Sequence, residues 1–370
     1  MIKIPFVDLK AQYLSIKPEI DEAIFSVINE TSFIKGYYVD KFEKEYAEKY
    51  GVRHCIGVAN GTDAIYIVLK MLGIGEGDEV ITTSLSWIST SETISLTGAK
   101  PVFVDIDDYY TIDASKIEEK ITDRTKAIIP VHLYGQPCEM DEIMQIAEKY
   151  GLYVVEDCAQ AHFAKYKGKY VGTFGIAGTF SFYPGKNLGA YGDAGAIITN
   201  DNDLALKCRM YANHGSLKKH EHQIEGINSR LDGLQAAILS VKLKYIEKWN
   251  QSRYEKAKLY SELLKDMVGV ITPKVRDCVR HVFHIYAIQT KGRDKLMVYL
   301  KEKGITTQIH YPRALPFLQA YKRLGYRGED LPLAFSIPNE LLSLPMYPEL
   351  SESQIEYVVD KIKEFMKTHI

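Results

Sequence analysis

Along residues 55–157, short apolar runs alternate with stretches of about ten residues in which apolar side chains recur at helical spacing. The runs 55–60, 79–83, 101–106, 126–132 and 153–157 read as strands. The stretches 64–72, 88–96, 114–121 and 140–150 between them read as helices. Strict alternation of this kind predicts a mostly parallel sheet with helices on both faces. Within the strands the apolar positions are consecutive, as in Val102-Phe103-Val104 and Ile128-Ile129, so both faces of the sheet should be covered. Gly73, Gly98 and Gly151 follow helical patterns, where a left-handed closing residue is needed.

Beyond Gly175 the rhythm changes to two close apolar runs, 178–184 and 195–200, and then to a long amphipathic stretch over 232–267. That stretch is taken as the connection to a second unit. The second unit should hold a strand at 281–290, a helix at 293–304, a strand at 305–312, and a last helix opened by Ser351 and Gln354 in capping-box spacing. The expected division is a large domain over 1–245, including the N-terminal segment, and a smaller α/β domain over 246–370. With no internal repeat or Gly/Ser linker, the two should pack firmly.

Composition narrows the function classes. The 370 residues carry a formal net charge of −2, which argues against nucleic acid as the main partner. No apolar run approaches the ~18 residues of a bilayer span, and the start lacks a basic region followed by a long apolar stretch; no membrane association and a cytoplasmic location are expected. The five cysteines, Cys55, Cys138, Cys158, Cys208 and Cys278, contain no CxxC pair. That pattern disfavours disulfides, zinc ribbons and iron–sulfur clusters, and predicts buried thiols. His220 and His222 are the closest histidines, without a third ligand nearby, so no metal site is expected.

Three segments could carry chemistry. Asp157 ends a buried strand, where open α/β sheets bind ligands, although a strand-end acid can also be a helix cap. Lys186 lies between Gly185 and Asn187 in a glycine-dense apolar segment. A sequestered lysine has a lowered pKa and forms Schiff bases, whereas an ordinary loop lysine does neither. Asn60-Gly61-Thr62-Asp63-Ala64 opens a helix, where free N–H groups, a glycine and a hydroxyl can cradle a phosphate; plain capping by Thr62 is the alternative. With an aromatic at Trp87, these are the parts needed to hold a phosphorylated pyridine aldehyde.

The chain resembles nucleotide-sugar aminotransferases of the DegT family, within the fold type I pyridoxal-phosphate enzymes, nearly end to end. The resemblance is carried by Pro5-Phe6-Val7-Asp8-Leu9, residues 60–64, Pro130-Val131-His132-Leu133-Tyr134-Gly135, residues 156–162, the Lys186 segment, Asn228-Ser229-Arg230-Leu231-Asp232 with Gln235-Ala236-Ala237, and His310-Tyr311-Pro312. It implies that Lys186 is the Schiff-base lysine and proton shuttle and that Asp157 pairs with the ring nitrogen. It also implies that Gln160 bonds the ring hydroxyl, that Trp87 stacks on the ring, and that Gly61, Thr62 and Ser181, with Asn228 of a neighbouring subunit, hold the phosphate. The active form would then be a homodimer with shared sites.

The implied reaction moves the amino group of L-glutamate to a 3-keto group on a nucleotide-linked sugar, giving 2-oxoglutarate and an amino sugar for glycans such as lipopolysaccharide O-antigen. A dTDP-3-keto-6-deoxyhexose is the first choice; a UDP-linked 3-keto-glucuronate or a 4-keto sugar is the alternative. Implied sugar contacts are His162, Tyr183, Lys219, His220, Arg230, His310, Tyr311 and Arg313. Phe163 stands where the family often has glycine, adding bulk beside His162 at an expected pocket wall. Dehydration of a nucleotide sugar and a non-catalytic regulatory role are the rival readings; Lys186 argues against the first, and the intact cofactor set against the second.

Overall fold

The computed structural model describes residues 3–369. Its centre is a seven-stranded sheet of β1 (His54–Val58), β2 (Glu79–Thr83), β3 (Lys100–Val104), β4 (Thr125–Ile129), β5 (Tyr153–Asp157), β6 (Ala177–Ser181) and β7 (Gly195–Thr199). The spatial order is β1-β7-β6-β5-β4-β2-β3. Only β7 runs against its neighbours, pairing antiparallel with both β1 and β6. Consecutive apolar residues of one strand enter opposite cores. Ile128, Val154 and Ile198 pack with Phe42, Tyr46 and Phe180 on one face, and Ile129, Val155 and Ile197 pack with Ile65 and Val68 on the other. This period-two sorting explains the continuous apolar runs.

The predicted α/β sandwich is therefore observed, with local differences. Residues 114–121 form two 3₁₀ turns, Ala114–Lys116 and Glu118–Lys120, instead of a helix. Asp113 caps the first turn through the Ser115 N–H, the turns close by bonds three residues apart such as the Ile117 N–H to the Ala114 carbonyl, and Ile121 is already extended. The amphipathic stretch is two helices, Gly233–Leu243 and Ile246–Leu264. The first strand expected in the second unit is confined to Tyr286–Gln289, paired with Leu341–Leu344. Upstream of it the backbone turns at Phe283, whose φ is +41° and whose ring stacks on His281 at 3.8 Å. Residues 305–312 make only isolated bridges, Ile305 to Ile4 and Gln308 to Ser343. The last helix begins with the expected reciprocal cap: the Ser351 N–H donates to Gln354 Oε1 at 2.9 Å, and the Gln354 N–H to Ser351 Oγ at 3.2 Å.

The helix Ile246–Leu264 enters two cores. Ile246 and Trp249 pack with the sheet, whereas Ala257, Tyr260 and Leu264 pack with Tyr286, Leu296, Leu342 and Ile362, joined by Ile4 from the N-terminal segment. Four cysteines are buried, but Cys278 is exposed, contrary to expectation, because it lies on the surface turn ahead of Val279. Among the described residues no helix is long and apolar enough to cross a membrane.

Candidate active site

The carboxyl ends of β5 and β6 and the helix after β1 meet at one place. Pleating sends the adjacent carboxylates of β5 apart. Glu156 is fully buried and accepts the N–H groups of Gly172, Phe174 and Gly175 and a bond from His132 Nε2, so it is an internal anchor. Asp157 faces the other way. Its Oδ1 accepts the Ala159 N–H at 3.1 Å and its Oδ2 the Thr90 hydroxyl at 2.8 Å. That proton being committed, the Ser86 hydroxyl, 3.0 Å away, donates to Thr90 Oγ1. No helix follows directly after β5, so Asp157 is not a cap.

Lys186 lies in the loop joining β6 to β7, with its N–H on the Tyr183 carbonyl at 2.8 Å. Burial lowers its pKa to about 8, opposed by the charge of Asp157. Three histidines feel the Lys186 charge and are themselves held neutral chiefly by burial: His162 falls to about 3, His310 to about 4, and His284 lies well below the usual imidazole range. The loop is tied on both sides of the lysine. Asn187 Nδ2 donates to Asn250 Oδ1 at 2.9 Å and to the Val282 carbonyl at 3.0 Å; Lys242 Nζ donates to the Gly189 carbonyl at 2.7 Å.

The helix Gly61–Met71 is capped by Asn60, whose side chain accepts the Asp63 N–H at 2.8 Å. Thr62 is thus not the cap, and its hydroxyl bonds Ser89 Oγ at 2.7 Å. A Cβ on Gly61 would stand 2.7 Å from Ser181 Cβ, so only glycine lets this helix start approach the end of β6. Free helix N–H groups and the hydroxyls of Thr62, Ser89 and Ser181 form an anion cradle there. A phosphate, an amine-reactive aldehyde and a ring nitrogen fit this cradle, Lys186 and Asp157 respectively.

Gln160 Oε1 accepts the Tyr134 N–H at 2.7 Å, and its Nε2 donates to Tyr311 Oη at 2.9 Å. The Tyr311 ring lies 5.7 Å from that of Trp87, which is 58 % exposed. The Tyr134 hydroxyl donates to the His310 carbonyl. Tyr183 and Arg313 are exposed, as are Lys219 and His220 beside the hairpin strands Ser216–Lys218 and Glu221–His222. Arg230 is half-buried with its Nε unpartnered. Asn228 is exposed, while the neighbouring Ser229 Oγ accepts the Ala59 N–H at 3.1 Å beside the cradle.

Two expectations about the pocket wall are corrected. His162 is fully buried with both ring nitrogens engaged, Nε2 on the Ser181 carbonyl at 2.9 Å and Nδ1 on Tyr46 Oη at 3.0 Å, so it has no group left for a sugar. Phe163 stacks on Tyr50 at a centroid distance of 4.4 Å inside the core and adds no bulk to a pocket. Thr90, Ser86, His284, Asn250 and Lys242 escaped the sequence reading, and Tyr134 entered it only as part of the 130–135 motif, without a role. Nothing in local spacing marks them: Thr90, Tyr134, His284, Asn250 and Lys242 act through partners far along the chain, and Ser86 reaches Asp157 only through Thr90.

Comparison with known proteins gives concordant matches. Residues 14–363 match the DegT/DnrJ/EryC1/StrS aminotransferase family. A "Pleiotropic regulatory protein" of Geobacillus stearothermophilus is 50 % identical, covering 99 % of both chains. The dTDP-3-amino-3,6-dideoxy-alpha-D-galactopyranose transaminase of Aneurinibacillus thermoaerophilus is 47 % identical over 98 % of this chain and 99 % of its own. The crystal structure of S. venezuelae DesV, in complex with a ketimine intermediate, superposes with a TM-score of 0.97 at 40 % identity over 99 % of both chains.

Proposed function

This chain belongs to the DegT/DnrJ/EryC1/StrS aminotransferase family, and on that premise we propose that it transfers the amino group of L-glutamate to the 3-keto group of a dTDP-linked 6-deoxyhexose. Pyridoxal 5′-phosphate, the family's cofactor, supplies when bound an aldehyde that captures amino groups and a ring that takes up the electron pair released at the substrate carbon.

The chain's residues do the rest. Lys186 offers an amine whose pKa burial lowers to about 8, able to hold the aldehyde and, when released, to carry a proton to and from the substrate carbon. Asp157, oriented by Thr90 and Ala159, keeps the ring nitrogen protonated. Gly61, Thr62 and Ser181 hold the phosphate, Gln160 the ring hydroxyl, and Trp87 covers one ring face. Asn228, exposed on its own protomer, would complete the phosphate site of a second chain in a homodimer. Tyr183, Lys219, His220, Arg230, His310, Tyr311 and Arg313 are proposed to meet the nucleotide sugar. The setting is the cytoplasm, and the product is an amino sugar of the kind built into surface glycans.

The observation that carries this reading is the meeting of a recessed lysine, a hydrogen-bonded aspartate and a glycine-dependent cradle at the carboxyl ends of β5 and β6. The relative named as a regulatory protein does not weaken it, since a purely regulatory chain has no need of a buried lysine set beside an aspartate and an anion cradle. A UDP-linked 3-keto-glucuronate is the second reading, favoured by the unpartnered Arg230 Nε and the exposed Arg313, either of which could meet a sugar carboxylate. Purified protein supplied with L-glutamate and each keto sugar should release 2-oxoglutarate faster with the dTDP-linked one. Turnover only with the UDP-linked sugar would replace the first reading by the second, and turnover with neither would refute both.

A further inference from the structure

Asn250 lies on the helix Ile246–Leu264, outside the ligand-facing set, and is 1 % exposed. Its Oδ1 accepts from Asn187 Nδ2 at 2.9 Å, and its Nδ2 donates to the His162 carbonyl at 2.8 Å. The amide orientations are mutually fixed. Asn187 Nδ2 also donates to the Val282 carbonyl, so it must be the donor toward Asn250, which leaves the Asn250 Nδ2 to meet a carbonyl. Asn187 Oδ1 then accepts from His284 Nδ1 at 3.2 Å.

Asn187 is the residue after Lys186, and His162 lies in the loop that leads away from Asp157 at the end of β5. One buried amide therefore spans the two segments that carry the candidate Schiff-base lysine and its aspartate. One turn further along the same helix, Arg253 donates to the carbonyls of Phe283 and Met346 at 3.2 and 2.8 Å, so the span is fastened to the second core as well. We propose that Asn250 is a positioning residue for the transamination: by bridging Asn187 and the His162 carbonyl it fixes Lys186 relative to Asp157. The inference rests on the proposed roles of those two residues.

A side chain of this kind can act on rate without touching substrate, because misplacing a reacting group by about 1 Å costs on the order of 10²-fold. Asn250→Leu keeps the volume and removes both bonds; Asn250→Asp keeps the acceptor for Asn187 and sets a carboxylate oxygen against the His162 carbonyl. Both are compared with the parent as holoenzymes for kcat, for KM of each substrate, for the visible circular dichroism of the bound cofactor, and for melting temperature. For Asn250→Leu the expected result is a fall in kcat of about 10²-fold, KM within about threefold, and a changed visible dichroism. Asn250→Asp should fall between it and the parent.

A folded variant of either kind with parental kcat and dichroism overturns the proposal, as does a loss confined to KM. If the Leu chain does not fold, the Asp chain decides. Failure of both to fold makes Asn250 purely architectural and also overturns it. Borohydride labelling of the parent separates this from failure of the underlying reading: a label on a lysine other than Lys186 refutes the site, whatever the variants do.

Discussion

If burial depresses the Lys186 pKa, the apo-enzyme should capture pyridoxal 5′-phosphate with a pH dependence unlike that of a surface lysine. Only the neutral amine attacks an aldehyde. With a pKa near 8 instead of 10.5, the neutral fraction at pH 7 is about one in ten, against about one in three thousand for an unperturbed lysine, a roughly 300-fold gain. Stopped-flow mixing of apo-enzyme with cofactor, followed in the visible band, should give a rate that rises tenfold per unit at low pH and levels off near pH 8. Asp157 opposes this depression: its negative charge favours the ammonium. Asp157→Asn should therefore move the midpoint to lower pH, the reverse of what is expected if that substitution simply loosened the site and let water in. A capture rate still climbing tenfold per unit beyond about pH 9.5 would refute the claim that burial governs this lysine.

Turnover by Asp157→Asn should fall by ~10²–10⁴, the scale for loss of a central electrostatic partner, while cofactor still binds; steady-state kinetics beside a cofactor titration check this. Gly61→Ala should lose most of its cofactor affinity and about 1–3 kcal/mol of stability, since its Cβ meets Ser181 at 2.7 Å; denaturant melts and equilibrium dialysis separate the two effects, and parental affinity would remove the cradle. Mixing inactive Lys186→Ala chains with inactive Asn228→Asp chains should restore activity by creating some hybrid dimers with one intact site. Persistent inactivity after subunit exchange would count against shared sites. Arg313→Ala should impair a carboxylated sugar selectively if that arginine meets the carboxylate, whereas equal loss on both sugars would assign it to the nucleotide.

How much of this was legible follows from the range over which each feature is encoded. The sheet was readable because consecutive apolar residues such as Val154 and Val155 serve opposite cores, which writes a local signature. Lys186 and Gly61 were readable for a related reason: an unusual residue sits in an unusual local setting. The segments 114–121 and 305–312 misled because amphipathic spacing and β-branched content were present while the pairing that would exploit them was not. Asn250 was invisible; its partners lie 63 and 88 positions away. Phe163 was placed at the pocket because it follows His162, yet its ring turns into the core against Tyr50. Adjacency in sequence did not decide which way a turn residue points.

The reversed direction of β7 has a consequence for protein engineering. Had β7 been parallel to β6, the chain would have had to travel back to the amino ends of the strands through a crossover. Instead Ser181 and Gly195 are a direct ladder pair, so residues 182–194 form a closed insert with its two ends side by side. Such an insert can be exchanged without re-registering the sheet, and changing its length adds little closure entropy. It is not a free cassette, however. Asn187 is tied to Asn250, His284 and the Val282 carbonyl, Gly189 to Lys242 and Tyr191 to Gln235, so a graft onto another sheet must carry those partners along with the insert.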